Sequence, residues 1–185
     1  MSMQLLKRRF TVDEYHRMAE AGILSEDDRV ELIDGEIVEM VPIGSRHAAC
    51  VDRLTRLFTS QVGDQAIVRV QSPIRLGRRS EPQPDIALLR PRADFYASAH
   101  PGPEDVLLVV EVAETSVEAD REVKLSLYGR AGVLEAWLVD LSGEIIEVHR
   151  NPSPDGYRSV QQFTRGQTLS PQAFPDLGLL VERIL

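Results

Sequence analysis

Asp85, Glu111 and Lys124 are the residues whose types and settings point most directly to chemistry. Glu111 interrupts Val106–Ala113 (VLLVVEVA), a nearly continuous apolar, β-branched run that reads as a strand buried on both faces. A carboxylate in that setting is costly unless it is paired, protonated or bound to a metal. Asp85 follows Pro82 and Pro84 in EPQPDIALLRP. Neither proline can donate a ladder hydrogen bond, so the next strand starts in effect at Asp85 and runs to about Arg90. If the two strands are antiparallel neighbours, the start of one lies beside the end of the other, and Asp85 falls next to Glu111. Two carboxylates converging at a sheet edge bind a hard divalent cation such as magnesium or manganese through oxygen. Such a cation acidifies a water and neutralises phosphoryl charge, and a nearby ammonium orients the attacking water or stabilises developing charge. The chemistry this suits is metal-assisted hydrolysis of a phosphodiester.

The ammonium comes from an unusual composition. Of 21 basic residues, only Lys7 and Lys124 are lysines and the rest are arginines. Lysine supplies a compact point charge that arginine does not. Each residue also has a plainer reading. Asp85 can be a turn-associated acid, Glu111 the partner of an arginine, and Lys124 an i,i+4 partner of Asp120 on a solvated helix face.

The elements that must position these residues follow from periodicity and punctuation. Thr11 with Glu14 is a capping-box signal for a helix from about Val12 to Ala21. RVELID and EIVEMV flank Asp34-Gly35, a hairpin pattern. Ala48, Val51, Leu54, Leu57 and Phe58 recur at helical spacing between Ser45 and Val62, and Gly63 ends that helix. AIVRVQSPIRL reads as one strand or two, broken by Pro73, leading to a tip at Gly77-Arg78-Arg79. Ala93 to Asp105 is an irregular connection. Ser116 is placed to cap a helix from about Val117 to Arg130, closed by Gly132, and Leu134–Leu141 is the next strand. A strand–helix–strand crossover of this length makes a parallel, right-handed unit, so the helix carrying Lys124 packs on the sheet carrying Glu111. EIIEVHR and YRSVQQFT read as two further strands joined by a loop, NPSPDG; the remainder to Leu185 gives no clear pattern. The fold class is α/β, a mixed sheet with helices on its faces, in one domain over residues 1–185.

Composition narrows the function classes. A net charge of −8 argues against a protein that coats nucleic acid non-specifically, but is compatible with a nuclease that has an acidic metal site. One cysteine, Cys50, excludes an intramolecular disulfide and a thiolate zinc cluster. No apolar run reaches the roughly 20 residues of a membrane helix, and MSMQLLKRRF lacks the apolar stretch of a secretory signal. A cytoplasmic protein is expected. His16, His100 and His149 lack metal-ligand spacing, and no P-loop, dinucleotide glycine motif or nucleophile elbow is present. Arg75, Arg78 and Arg79 precede the Pro-Asp start and read either as a nucleic-acid backbone contact or as a solvated loop.

Taken in order, VELIDGEIVEM, SRHAACVDRL, PDIALL, VVEVAETS and the Lys124 helix leading into GVLEAWLVD resemble the Uma2 family of restriction-endonuclease-like proteins within the PD-(D/E)XK nuclease superfamily. The likeness runs from about Phe10 to Arg150. It implies a restriction-endonuclease-like core and a magnesium- or manganese-dependent endonuclease acting on nucleic acid, DNA in the first instance, as a homodimer. It also implies that Asp85 and Glu111 are metal ligands and catalytic, and that Glu31 is an additional acid at the metal. The superfamily's lysine, two residues after the second acid, is replaced here by Ala113; in the resembling family the role passes to the following helix, here to Lys124. Without the resemblance, Glu31 reads equally well as the polar face of an exposed hairpin. His47 matches a family histidine to which the sequence assigns no role.

Two other classes stay open at this point. The acidic charge and the absent lysine at Ala113 suit a catalytically inactive nuclease-like binding or assembly module. A metal-dependent hydrolase of a smaller phosphate ester is the third reading.

Overall fold

Alternation of apolar and polar residues, punctuated by glycine and proline, becomes a six-stranded mixed sheet with a helix on each face. The computed structural model describes residues 7–25 and 27–185; the first six residues of MSMQLLKRRF lie outside them. Helix α1 (Val12–Glu20) starts with the expected capping box between Thr11 and Glu14. Strands β1 (Val30–Ile33) and β2 (Glu36–Glu39) form a separate antiparallel hairpin. Its turn residues, Asp34 and Gly35, have φ of 47° and 80°, the paired positive values of the expected tight hairpin turn. Gly35 is required for space as well, since a Cβ there would lie 2.8 Å from Arg9 Cβ and 2.9 Å from Phe10 O.

The main sheet contains β3 (Ile67–Val70), β4 (Ile86–Leu89), β5 (Val106–Ala113), β6 (Glu135–Asp140), β7 (Ile145–Ser153) and β8 (Gly156–Thr164), in that spatial order. β4 and β5 are antiparallel, as the placement of Asp85 beside Glu111 required, and β5 and β6 are parallel, as the crossover required. Helix α2 (Ser45–Val62) covers one face. Its Leu54, Leu57 and Phe58 pack with Ile86, Leu88, Val110, Val112 and Trp137.

The crossover helix, α3 (residues 117–131), covers the other face, where Leu125, Leu127 and Tyr128 meet Val109, Ala113, Ala136 and Leu138. It consists of an α turn (Val117–Ala119), a π segment (Asp120–Leu125) and a second α segment (Ser126–Ala131). Gly132 closes it in the left-handed conformation, φ 89°. Ser116 does not cap it: no side-chain cap bond forms, because the hydroxyl donates to Asp120 Oδ2 at 2.6 Å instead.

Three other stretches differ from expectation. In AIVRVQSPIRL only Ile67–Val70 is a strand, since Pro73 ends the pairing, and Ile74 and Leu76 enter the core as irregular chain. The NPSPDG loop shrinks to a tight turn: β7 continues to Ser153 and β8 begins at Gly156, opposite it. The unread C-terminal part adds a two-stranded sheet, β9 (Thr168–Leu169) with β10 (Leu179–Leu180). It docks through Arg150, which bonds both buried Glu135 and Ser170 O.

Candidate active site

Glu31, Asp85, Glu111, Asp120 and Lys124 line one cavity of about 460 Å³ between the hairpin, the start of α2, the facing ends of β4 and β5, and α3. Each acid owes its position to a different element, and the local sequence explains each placement. Glu111 projects from β5 on the side of α3, because its strand neighbours Val110 and Val112 are taken by the α2 core and strand side chains alternate. Asp85 stands just before β4, where the two prolines stop the ladder. Glu31 is turned inward on β1, only 4% exposed, which rules out the exposed-hairpin reading.

Lys124 reaches the cluster from the π segment, whose extra residue per turn re-aims side chains relative to an α-helix. Arg121 of the same segment grips buried Glu147 on β7 with two bonds of 3.0 and 2.9 Å, fixing the helix on the sheet. Lys124 Nζ lies 3.1 Å from Glu31 Oε1 and 3.5 Å from Glu111 Oε2, with its side chain 14% exposed. It is therefore not the solvated-face lysine of the plainer reading.

In three of the acids, one carboxylate oxygen is anchored by the scaffold and the other is left to the cavity. Glu111 Oε1 accepts from the Tyr128 hydroxyl, leaving Oε2 beside Lys124. Glu31 Oε2 accepts from Gln83 N at 3.0 Å, leaving Oε1 to the same ammonium. Asp85 Oδ2 accepts from Val112 N at 2.9 Å and bonds His47 Nε2 at 2.9 Å. Its Oδ1 meets only the longer 3.3 Å contact from Gln71 Nε2.

The electrostatics follow from four carboxylates gathered around one ammonium. Burial pushes Glu111 up to about 8; Lys124 opposes the shift, and Asp85, Asp120 and Glu31 add to it. Burial also raises Asp120, against the Ser116 hydrogen bond. Burial works to lower Lys124, but Glu111, Glu31 and Asp120 hold it above the usual lysine value, so it stays charged. Burial and then Glu111 raise Tyr128 well above the usual phenol value, keeping its hydroxyl a donor. The hydrogen bond to Asp85 raises His47 despite opposing burial.

This set fits a hard divalent cation, which prefers several anionic oxygens of fixed orientation. The cavity-facing oxygens of Asp85, Glu111 and Glu31 would hold it, two of them now beside Lys124, and the negative charge that one lysine leaves uncompensated is what a second cation would neutralise.

Sequence reasoning gave Asp85, Glu111, Lys124 and Glu31, which the fold brings together. It left His47 without a role, and the geometry gives it one, as the partner of Asp85. It missed Asp120 as a member of the cluster, though its place one turn before Lys124 was a usable signal. Tyr128 is a core residue, and its buried hydroxyl also serves Glu111. Gln71 carried no signal: it follows the end of β3, with φ 43°, and its side-chain amide comes within 3.3 Å of Asp85 Oδ1. Arg75, Arg78 and Arg79 do not line the cavity, and Arg75 pairs instead with Asp13 at 2.9 Å.

A six-stranded mixed sheet with an acid pair at the β4–β5 ends and a lysine arriving from the crossover helix defines a restriction-endonuclease-like fold. The chain belongs to the Uma2 family, whose model, described as "Putative restriction endonuclease", matches residues 12–182. A crystal structure of "a putative nuclease belonging to DUF820" from Anabaena variabilis ATCC 29413 is similar in fold, with a TM-score of 0.73 at 16% identity, covering 95% of this chain and 97% of that one. No curated protein matches the sequence. Among the described residues, no helix is long and apolar enough to cross a membrane.

Proposed function

We propose that the protein is a divalent-metal-dependent endonuclease that hydrolyses phosphodiester bonds in nucleic acid, with DNA as the substrate to test first. The observation that carries this reading is the anchoring of one oxygen in each of Asp85, Glu111 and Glu31, with the other turned to a cavity that also holds Lys124. A magnesium or manganese ion supplies Lewis-acid activation and charge neutralisation in such a site. Asp85 and Glu111 are the main ligands and Glu31 the auxiliary acid. Lys124 orients the attacking water and stabilises charge on the phosphoryl oxygens, and its own charge is secured by the acids around it. His47 and the Val112 amide hold Asp85 in its rotamer. Asp120 adds negative charge behind Lys124.

The test is cleavage of plasmid DNA, single-stranded DNA and RNA by chelator-treated protein, with magnesium or manganese added back. Metal-dependent cleavage that is lost in both Asp85→Asn and Lys124→Ala is expected. Cleavage that survives in either variant, or in excess chelator, sinks this assignment of roles. A protein that binds manganese but cleaves nothing is instead a nuclease-like binding module, and cleavage of mononucleotide esters alone makes it a small-phosphoester hydrolase.

A further inference from the structure

Away from the acidic cavity, His16, Glu81 and His100 bring one potential ligand atom each to within 4.8 Å of one another. None of the three lines the cavity. His16 lies on α1, Glu81 in the segment before β4 and His100 in the connection before β5, so three distant parts of the chain meet here. Glu81 is 3% exposed. Its Oε1 bonds His16 Nε2 at 2.6 Å, while its Oε2 is buried without a hydrogen-bond partner. A buried carboxylate oxygen left unsatisfied is costly, and here it belongs to the same carboxylate that meets the two imidazoles.

The surrounding chain holds the group together. Arg75 donates its backbone N–H to Pro101 O at 2.9 Å, beside His100, and its guanidinium pairs with Asp13, one turn before His16 on α1. Both histidine-bearing segments are thus tied to one residue. Glu81 is fixed by its own amide, which donates to Leu32 O at 2.8 Å.

We propose that His16, Glu81 and His100 form a second metal site, for zinc or a similar borderline divalent ion. Two imidazoles and one carboxylate suit zinc far better than the magnesium or manganese of an all-oxygen site. Tetrahedral zinc with ligands at about 2.0–2.1 Å sets ligand atoms roughly 3.3 Å apart, and the exposed His100 side chain is free to close the remaining distance. The rings of His16 and His100 already stand edge to face, 6.2 Å between centroids. The fourth position opens to water. The ion pins α1 and the His100 connection to the segment that bridges β1, directly behind the strand that carries Glu31.

The site is tested in the Glu111→Gln protein, which removes a central ligand of the acidic cavity, by competition for zinc against a chromophoric chelator. One zinc per chain is expected, with affinity falling at least about a hundredfold in the added His16→Ala, His100→Ala or Glu81→Gln variants. Zinc is expected to raise the melting temperature of the parent and not of the histidine variants. His100 is exposed, so its replacement leaves the chelator-treated melting temperature close to that of the parent, whereas His16→Ala also removes the hydrogen bond to buried Glu81 and is read by zinc affinity. No zinc binding by the Glu111→Gln protein, or affinity unchanged in both histidine variants, overturns the site. Neither result depends on cleavage, so the site and the nuclease reading stand or fall separately.

Discussion

His47 Nε2 lies 2.9 Å from Asp85 Oδ2, joining the first turn of α2 to the acid that opens β4. Both residues line the cavity, and the bond occupies one oxygen of Asp85, leaving Oδ1 with only the longer contact from Gln71. The hydrogen bond to Asp85, opposed by burial and helped by the charges of Asp85 and Asp120, raises the His47 pKa. A histidine raised in this way adds stability that is complete below its unfolded pKa and is lost as pH rises through the folded value. His47→Leu is therefore expected to lower the melting temperature more at pH 6 than at pH 9. A hydrogen bond to a charged group contributes about 1.5 kcal/mol, or roughly 3–6 °C for a chain of this length. Thermal denaturation of both proteins across that pH range measures it, and an equal deficit at both ends contradicts the pairing.

Glu111 gives a second lever on the same site, of the same sign. Its carboxyl, pushed to about 8 by burial with Lys124 opposing, binds a proton in the folded chain that the unfolded chain has released. The stability that proton confers is present below the ordinary carboxylate range and is lost as pH climbs to about 8. Metal-free protein is expected to lose a few kcal/mol, order of magnitude, between about pH 5 and pH 8. Glu111→Gln should flatten that slope and be the more stable protein at pH 8.5. Manganese should restore the wild type at high pH and leave the variant unmoved, as read by chemical denaturation with and without metal.

Lys124→Met separates the structural from the catalytic role of the ammonium. Removing it leaves Glu31 and Glu111 facing each other without a cation, and breaking a buried pair in this way costs about 3–5 kcal/mol. Cleavage should fall by at least about a hundredfold, the scale of losing one preorganised charge partner. Lys124→Arg should recover most of the stability but little of the activity, because a planar fork does not replace a point charge. Full activity in the arginine variant would contradict a water-orienting role.

What was legible in the sequence was whatever depends on local pattern. The capping box at Thr11, the Asp34-Gly35 turn, both long helices and the buried strand around Glu111 each carry their own periodicity or punctuation. The antiparallel β4–β5 pairing then placed Asp85 by geometry alone. The parts that were not legible depend on long-range packing. The π segment has no signature in DREVKL, although it is the segment from which Arg121 reaches Glu147 and Lys124 reaches the acids. Ser116 has the right residue type for a cap, but Asp120 competes for its hydroxyl. Glu81 with His16 and His100 spans segments up to 84 positions apart, and no spacing rule joins them. Glu31 was found only through its family pattern, because an inward carboxylate on a four-residue strand looks the same in sequence as an outward one.

The seating of α3 sets the position of Lys124, which lies on that helix. Gly129 faces the turn between β7 and β8 so closely that a Cβ would lie 2.4 Å from Gly156 C and 2.6 Å from Gly156 O. Both are backbone atoms that cannot rotate away, and Gly156 itself has φ of 118°, so the turn has little room to adjust. Three further bonds hold the helix and the neighbouring strands at this distance: Tyr157 donates its hydroxyl to Val133 O at 2.9 Å, and Arg121 grips Glu147 with two. On an exposed helix Gly→Ala stabilises by up to about 1 kcal/mol. Here the helix must instead lift off the sheet, and overpacking of this kind costs about 1–3 kcal/mol or more. Gly129→Ala is expected to destabilise the protein and also to weaken manganese binding, since lifting α3 moves Tyr128 and Lys124 relative to Glu111. Calorimetry alongside denaturation distinguishes the cases: a variant that is less stable yet binds manganese as tightly as wild type would show that the site does not depend on the seating of this helix.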